Sequence, residues 1–271
     1  MSFSAPDAEA NPLVGIDGTV PHSARIWNYW LGGKDNYAVD SAAGDLFLAT
    51  FPDIAVIARA TRAFMGRAVR YLAGEAGIRQ FMDIGTGLPS ADSTHEIAQL
   101  VAPESRIVYV DNDPVVLAHA HALLKSCAEG TTDYVDADLR DPETILGEAG
   151  RTLDFSRPVA VMLLGILGHI TDDGQARSIV RRLTDAVPAG SYLVVSDGTN
   201  VVKGDRGQAA QDDYNDSGAE PYCLRSIERI TRFFDRLDLM APGVVSVSRW
   251  RPGTGEVPEE VDAFCGVGQK R

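Results

Sequence analysis

The chain has 271 residues, 45% apolar and 23% charged, the balance of an ordinary soluble globular domain with at most one added segment. Lys plus Arg number 25 against 38 Asp plus Glu. The net charge of −13 repels phosphate backbones and no basic cluster overcomes it, which excludes duplex DNA or RNA as an expected partner.

No apolar run reaches the roughly 18 residues that a membrane helix needs. The start, "MSFSAPDAEANPL", has neither a basic region nor an apolar core, so no secretory signal is expected, and residues 1–18 read as a disordered tail. Cys127, Cys223 and Cys265 are far apart and odd in number, with no zinc or disulfide spacing. Reduced thiols in a cytoplasm are the expectation.

In chain order, "ARIWNYWL" at 24–31 reads as a helix that places Arg25, Asn28 and Tyr29 on one face. Gly32 and Gly33 would turn the chain sharply after it. Residues 40–73 read as helical, with Ile54, Ile57, Phe64, Ala68, Val69 and Leu72 at helical spacing and a new helix starting at Pro52. From residue 78 strands and helices alternate. The strands lie in "IRQFMDIG", "SRIVYVDND", "TTDYVDADLRD", "RPVAVMLLG" and "GSYLVVSDG". Between them lie helices, one with a Ser93–Glu96 capping box and one with Pro114 in its first turn. Nearly continuous apolar strands in this alternation predict a parallel sheet covered on both faces. Residues 200–222 read as a long loop or a helix over the site. "SIERITRFFDRLDLM" reads as a helix, "GVVSVSRWRP" as a strand, and "VDAFCGVGQKR" as a last strand, with an antiparallel pair at one sheet edge.

Ligands of an open α/β sheet bind beyond the carboxyl ends of the strands. The first strand ends in Asp83 and a turn of Gly85, Thr86 and Gly87, without the third glycine of a dinucleotide site. Asp83 disfavours a pyrophosphate there and suits a cationic amino group. Asp111, with Asn112, follows the second strand and can accept two ribose hydroxyls, whereas Asp113 before Pro114 is the better helix cap. Asp138 can accept from an adenine amino group, with Leu139 beside the ring. An amino group, a ribose and an adenine without phosphate describe S-adenosyl-methionine.

"DIGTG", "VYVDNDP" and "DADLRD" at these spacings resemble the class I S-adenosyl-methionine-dependent methyltransferases. From about Thr19 onward, including "PHSARIWNYWLGGKDNYAVD" and "GVGQK", the chain is similar to the actinomycete-type S-adenosyl methyltransferase family. The resemblance implies a Rossmann-like fold: a mostly parallel seven-stranded sheet with helices on both faces and an N-terminal helical cap. It places the cap at 19–75 and the S-adenosyl-methionine-binding domain at 76–271. It also implies the cofactor and a transferase role; the expectations of a small-molecule acceptor and of no membrane partner rest on the acidic charge and the lack of a long apolar run. It does not give the acceptor, and a homodimer stays open. Pro89 departs from the broader class, where a third small residue stands.

Methyl transfer gains much from alignment alone, so a strong catalytic signature is not required. His169 and Asp197, after the fourth and fifth strands, are the candidate general bases. No cluster has metal-ligand spacing. Gly165, Arg25, Tyr29 and Tyr37 complete the candidate cofactor contacts, while Trp27 and Trp30 are expected to dock the leading segment onto the sheet. A cofactor-binding protein without turnover is the main alternative; aminopropyl transfer and a nicotinamide dehydrogenase rank below it.

Overall fold

The structure, a computed structural model, describes residues 18–89, 92–123, 126–253, 255 and 257–271. The expected tail lies almost entirely outside them. Five parallel strands build most of the sheet: β1 (Gln80–Ile84), β2 (Arg106–Asp111), β3 (Thr131–Asp136), β4 (Ala160–Leu164) and β5 (Tyr192–Gly198). Three more follow: β6 (Leu237–Leu239), β7 (Val245–Ser246) and β8 (Ala263–Lys270). The order is β3-β2-β1-β4-β5-β8-β6, with β8 antiparallel to both its neighbours and the two-residue β7 pairing with β8. The sheet is thus mostly parallel with an antiparallel edge, and β7 adds an eighth strand to the seven expected. The order reverses between β1 and β4, which opens a crevice at their carboxyl ends.

Side chains alternate across a strand, and the two faces of β1 feed two cores. Phe81 joins Met162 and Trp250 against α1 (Ser23–Trp30), α2 (Ala38–Thr50) and α3 (Ile54–Gly74). Met82 joins Val108, Leu163 and Leu193 against α6 (Pro142–Ala149) and α7 (Asp173–Asp185) on the other face. The leading segment and the sheet therefore share one core. On α3 the buried stripe runs Ile54, Ile57, Ala58, Thr61, Phe64, Met65, Ala68, Val69 and Leu72. Phe64 and Leu72 are fully buried, worth about 1.5–3 kcal/mol each. α2 and α3 meet at 106° around Pro52. The turn after α1 is set by Gly32 at φ +82°.

The predicted caps form. Glu96 accepts from Ser93 N at 2.8 Å before α4 (Thr94–Val101), and Asp113 accepts from Val115 N at 2.9 Å at the start of α5 (Pro114–Leu123). Residues 200–222 contain α8 (Asp205–Asp216), which lies on α2 with the Tyr214 and Phe47 rings 6.2 Å apart. Two expectations fail near the end of the chain. "SIERITRFFDRLDLM" is not one helix. It gives α9 (Ile227–Thr231), a single 3-10 turn at Arg232–Phe234, and then β6, because the open edge of β8 accepts Leu237–Leu239 as a partner strand. "GVVSVSRWRP" forms only β7. Trp250 then leaves the sheet to bury itself against Phe64 and Tyr71, and Arg67 donates to its carbonyl at 2.8 Å.

Candidate functional site

A cleft of about 520 Å³ opens over the carboxyl ends of β1, β4 and β5, roofed by α1, α2, α3 and α8. That volume falls in the range of small-molecule sites, roughly 300–1,000 Å³. A smaller cleft runs beside it between the ends of β2 and β3 and shares Gly85, Asp111, Asn112, Ile166 and His169.

The turn after β1 requires its glycines. Gly85 and Gly87 adopt φ +73° and +63°, and a Cβ on Gly85 would lie 2.5 Å from the Ile166 side chain. Gly87 N donates to Asp111 Oδ2 at 2.9 Å and Asp113 N to Asp111 Oδ1 at 3.0 Å. Asp111 therefore braces the turn, and each of its oxygens keeps a further lone pair. Burial raises it above the ordinary carboxylate range.

Asp83 is buried on the cleft floor and takes a 2.6 Å hydrogen bond from Thr94 Oγ1. Burial pushes it up to about 6, against the opposing pull of that bond and of the Arg62 charge. Arg62 itself lines the cleft and donates to the Asp92 carbonyl at 3.2 Å. Thr86 and Gly165 line the same cleft, Asp138 and Leu139 the smaller one, and Asn112 both. Asn112 Nδ2 reaches Asp138 Oδ2 at 3.3 Å.

His169 sits in the 3-10 turn Leu167–His169 after β4 and lines both clefts. Its Nδ1 is 3.0 Å from the Pro221 carbonyl. A carbonyl only accepts, so Nδ1 carries the proton and Nε2 of the neutral ring is left as an acceptor. Burial lowers the imidazole below its ordinary pKa, which keeps it neutral. Arg140 fastens this corner, donating to the His169 carbonyl at 3.0 Å and to Glu220 at 2.9 Å.

Four expected site residues have other work. Asp197 lines the cleft, but Arg225 Nη1 donates to its Oδ2 at 2.7 Å and Tyr222 Oη to its Oδ1 at 2.6 Å. Asp197 is the buried counter-charge of a fully buried arginine, which corrects its reading as a free base. Arg225 also binds the Leu167 carbonyl at 2.8 Å, so the pair fixes the loop that carries His169. Arg25 is buried on Asp40 (Nε to Oδ2, 3.0 Å) and donates to the Val20 carbonyl. Tyr29 donates to Asp45 at 2.5 Å, and Tyr37 opens α2 with its ring beneath Arg25. None of these three lines either cleft. Arg25, Asn28 and Tyr29 do share a face of α1, but Arg25 and Tyr29 turn to α2, while Asn28 lines the cleft and also braces the following turn. Asn28 Oδ1, for instance, accepts from Asp35 N at 3.1 Å. The tryptophan face turns inward instead, so Trp27 and Trp30 both pack and line the cleft.

The residues that sequence reasoning missed are His22 and Arg62. His22, just before α1, bonds Asp113 Oδ2 at 3.0 Å and ties the leading segment to the end of β2. Burial works against its protonation, but the bond and charge of Asp113 hold its pKa above the ordinary value. Arg62 had a visible signal: it stands among Ala58, Thr61 and Met65 on the apolar stripe of α3, where a cation is costly without a purpose. Among the described residues no group of His, Cys, Asp and Glu could hold a metal ion.

A sequence model described as S-adenosyl methyltransferase matches residues 9–271. A DUF574 family protein of Streptomyces avermitilis is 44% identical in sequence. The alignment covers 94% of this chain and 99% of that one, with a TM-score of 0.90. A protein of Thermobifida fusca is 37% identical over 97% of this chain and 100% of its own, with a TM-score of 0.88. Among curated proteins none matches this sequence. With the family match spanning nearly the whole chain, and two such structures sharing its fold throughout, this chain belongs to the S-adenosyl methyltransferase family.

Proposed function

We propose that this protein binds S-adenosyl-methionine across the ends of β1 to β3 and methylates a small molecule held beneath α1, α2 and α8. The observation that carries the reading is the row of carboxylates at three adjacent strand ends, joined to a glycine turn that leaves the backbone open. The residues present suit such a cofactor. The buried Asp83 gains a counter-charge from an ammonium group, and Arg62 beside it can take the neighbouring carboxylate. Asp111 has lone pairs for two ribose hydroxyls. Asp138, Asn112 and Leu139 can receive the adenine.

When bound, the sulfonium supplies an electrophilic methyl group. The chain itself supplies alignment, exclusion of water and a proton acceptor. His169 Nε2 is that acceptor, held in its tautomer by the Pro221 carbonyl. Calorimetry should show one site per chain for S-adenosyl-methionine and for its demethylated product; no binding of either refutes the reading. A binding protein without turnover is the second reading, favoured by the commitment of Asp197 to Arg225. Steady conversion of cofactor in a metabolite extract would eliminate it.

A further inference from the structure

The half of the cleft beneath the cap is walled by Trp27 of α1, Phe47 of α2, Phe51 just after it, Ile57 of α3 and Tyr214 of α8. Its charged groups are already occupied. Asp197 is neutralised by Arg225. Asp262 accepts from Val202 N at 2.7 Å and Lys203 N at 2.8 Å and so caps the loop after β5. Glu220 is paired with Arg140 at 2.9 Å. The cations are engaged as well: His22 bonds Asp113, and Arg62 sits beside Asp83 at the cofactor end. An anionic acceptor would be stripped of water here among carboxylates and gain no counter-charge, and a cationic one would have to compete with the donors that already hold Asp197, Asp262 and Glu220, an unfavourable exchange in both cases. A flat ring would meet aromatic walls that favour edge and stacked contacts. Thr61 and Ser196 line the cleft, and their hydroxyl oxygens are shut in just behind its surface with no hydrogen-bond partner among the described residues, where a rotation about the Cα–Cβ bond would present either one to a ligand. Buried hydroxyls without partners are uncommon, and a ligand group that meets one removes the penalty.

We propose that the methyl acceptor is an uncharged, ring-bearing molecule with a hydroxyl group. This rests on the methyltransferase reading above. The hydroxyl proton passes to His169 Nε2 and the oxygen attacks the methyl carbon. The C–O bond forms as the C–S bond breaks, and the electron pair of that bond stays on sulfur, which leaves a neutral thioether.

The test uses three probes of one ring system at pH 7: neutral 2-naphthol, cationic 2-naphthylmethylamine and anionic 2-naphthoate. Binding is read by calorimetry and tryptophan fluorescence, with and without the demethylated cofactor. Naphthol should bind at least tenfold more tightly than either charged probe. Equal or tighter binding of a charged probe overturns the proposal, as does failure of naphthol to bind. The cofactor titration is separate, so loss of cofactor binding counts against the methyltransferase reading and not against the ligand class. Thr61→Val and Ser196→Ala test the hydroxyls. At least one should weaken naphthol severalfold while leaving cofactor affinity unchanged; naphthol affinity unchanged in both refutes the hydroxyl contact.

Discussion

Replacing Asp111 by asparagine separates two roles that meet on one side chain. Asp111 receives Gly87 N on one oxygen and Asp113 N on the other. An asparagine has only one oxygen, so one backbone donor must face an amide N–H. A hydrogen bond to a charged group is worth about 1.5–3 kcal/mol. Losing that much from the turn should lower Tm by roughly 3–12 °C for a domain of this size. The same substitution removes one acceptor from the proposed ribose contact, another roughly 1.5–3 kcal/mol, or about 10- to 150-fold in Kd. Differential scanning calorimetry reads the first effect and titration with S-adenosyl-methionine the second. A lower Tm with unchanged Kd would refute the ribose contact and leave Asp111 as a brace of the turn. Unchanged values in both would refute the brace as well.

Asp83 predicts a pH dependence. Its folded pKa, about 6, lies above the unfolded 3.8, so its contribution to the stability of the free protein is fully present below 3.8 and lost as pH rises through 6. An ammonium ligand needs the ionised form, so affinity for S-adenosyl-methionine should fall about tenfold per pH unit below 6 and level off above it. Calorimetry across pH 5–8 checks this, and a pH dependence that persists in Asp83→Asn would refute the assignment. Arg225→Met leaves Asp197 buried without its cation and should cost about 3–5 kcal/mol. The pair Arg225→Met with Asp197→Leu should lose less in thermal denaturation; a single variant as stable as the double would sink the ion-pair account.

The parallel part of the sheet was legible because strands buried on both faces need runs of consecutive apolar residues, as β4 has throughout and β2 and β5 have in Ile107–Val110 and Tyr192–Val195. Asp83 and Asp111 were legible because a parallel sheet delivers its strand ends to one place. α1 shows the limit. A helical repeat tells which residues share a face, as Arg25, Asn28 and Tyr29 do, but not which way that face turns. The direction is set by partners elsewhere: Asp40 and Asp45 on α2 draw the polar face, and the apolar floor draws Trp27 and Trp30. Asp197 was misread for a similar reason. Its partner Arg225 lies in a stretch with no pattern of its own, and only the fold brings the two together. The short β6 owes its conformation to the waiting edge of β8 and carries no local signal of it.

The attachment of α8 has a consequence for how such an enzyme can diversify. Tyr214 forms part of the wall beneath the cap, and the next residue, Asn215, clasps Tyr222 through both backbone groups, at 2.9 Å to its N and 3.0 Å to its carbonyl. Pro221, adjacent to Tyr222, holds His169. A substitution that reshapes the wall by shifting α8 also moves the histidine. Acceptor preference and the position of the proposed base are thus inherited together. New specificities in this lineage are easier to reach through Ile57 on α3 than through α8 or through Phe47, whose ring packs against Tyr214.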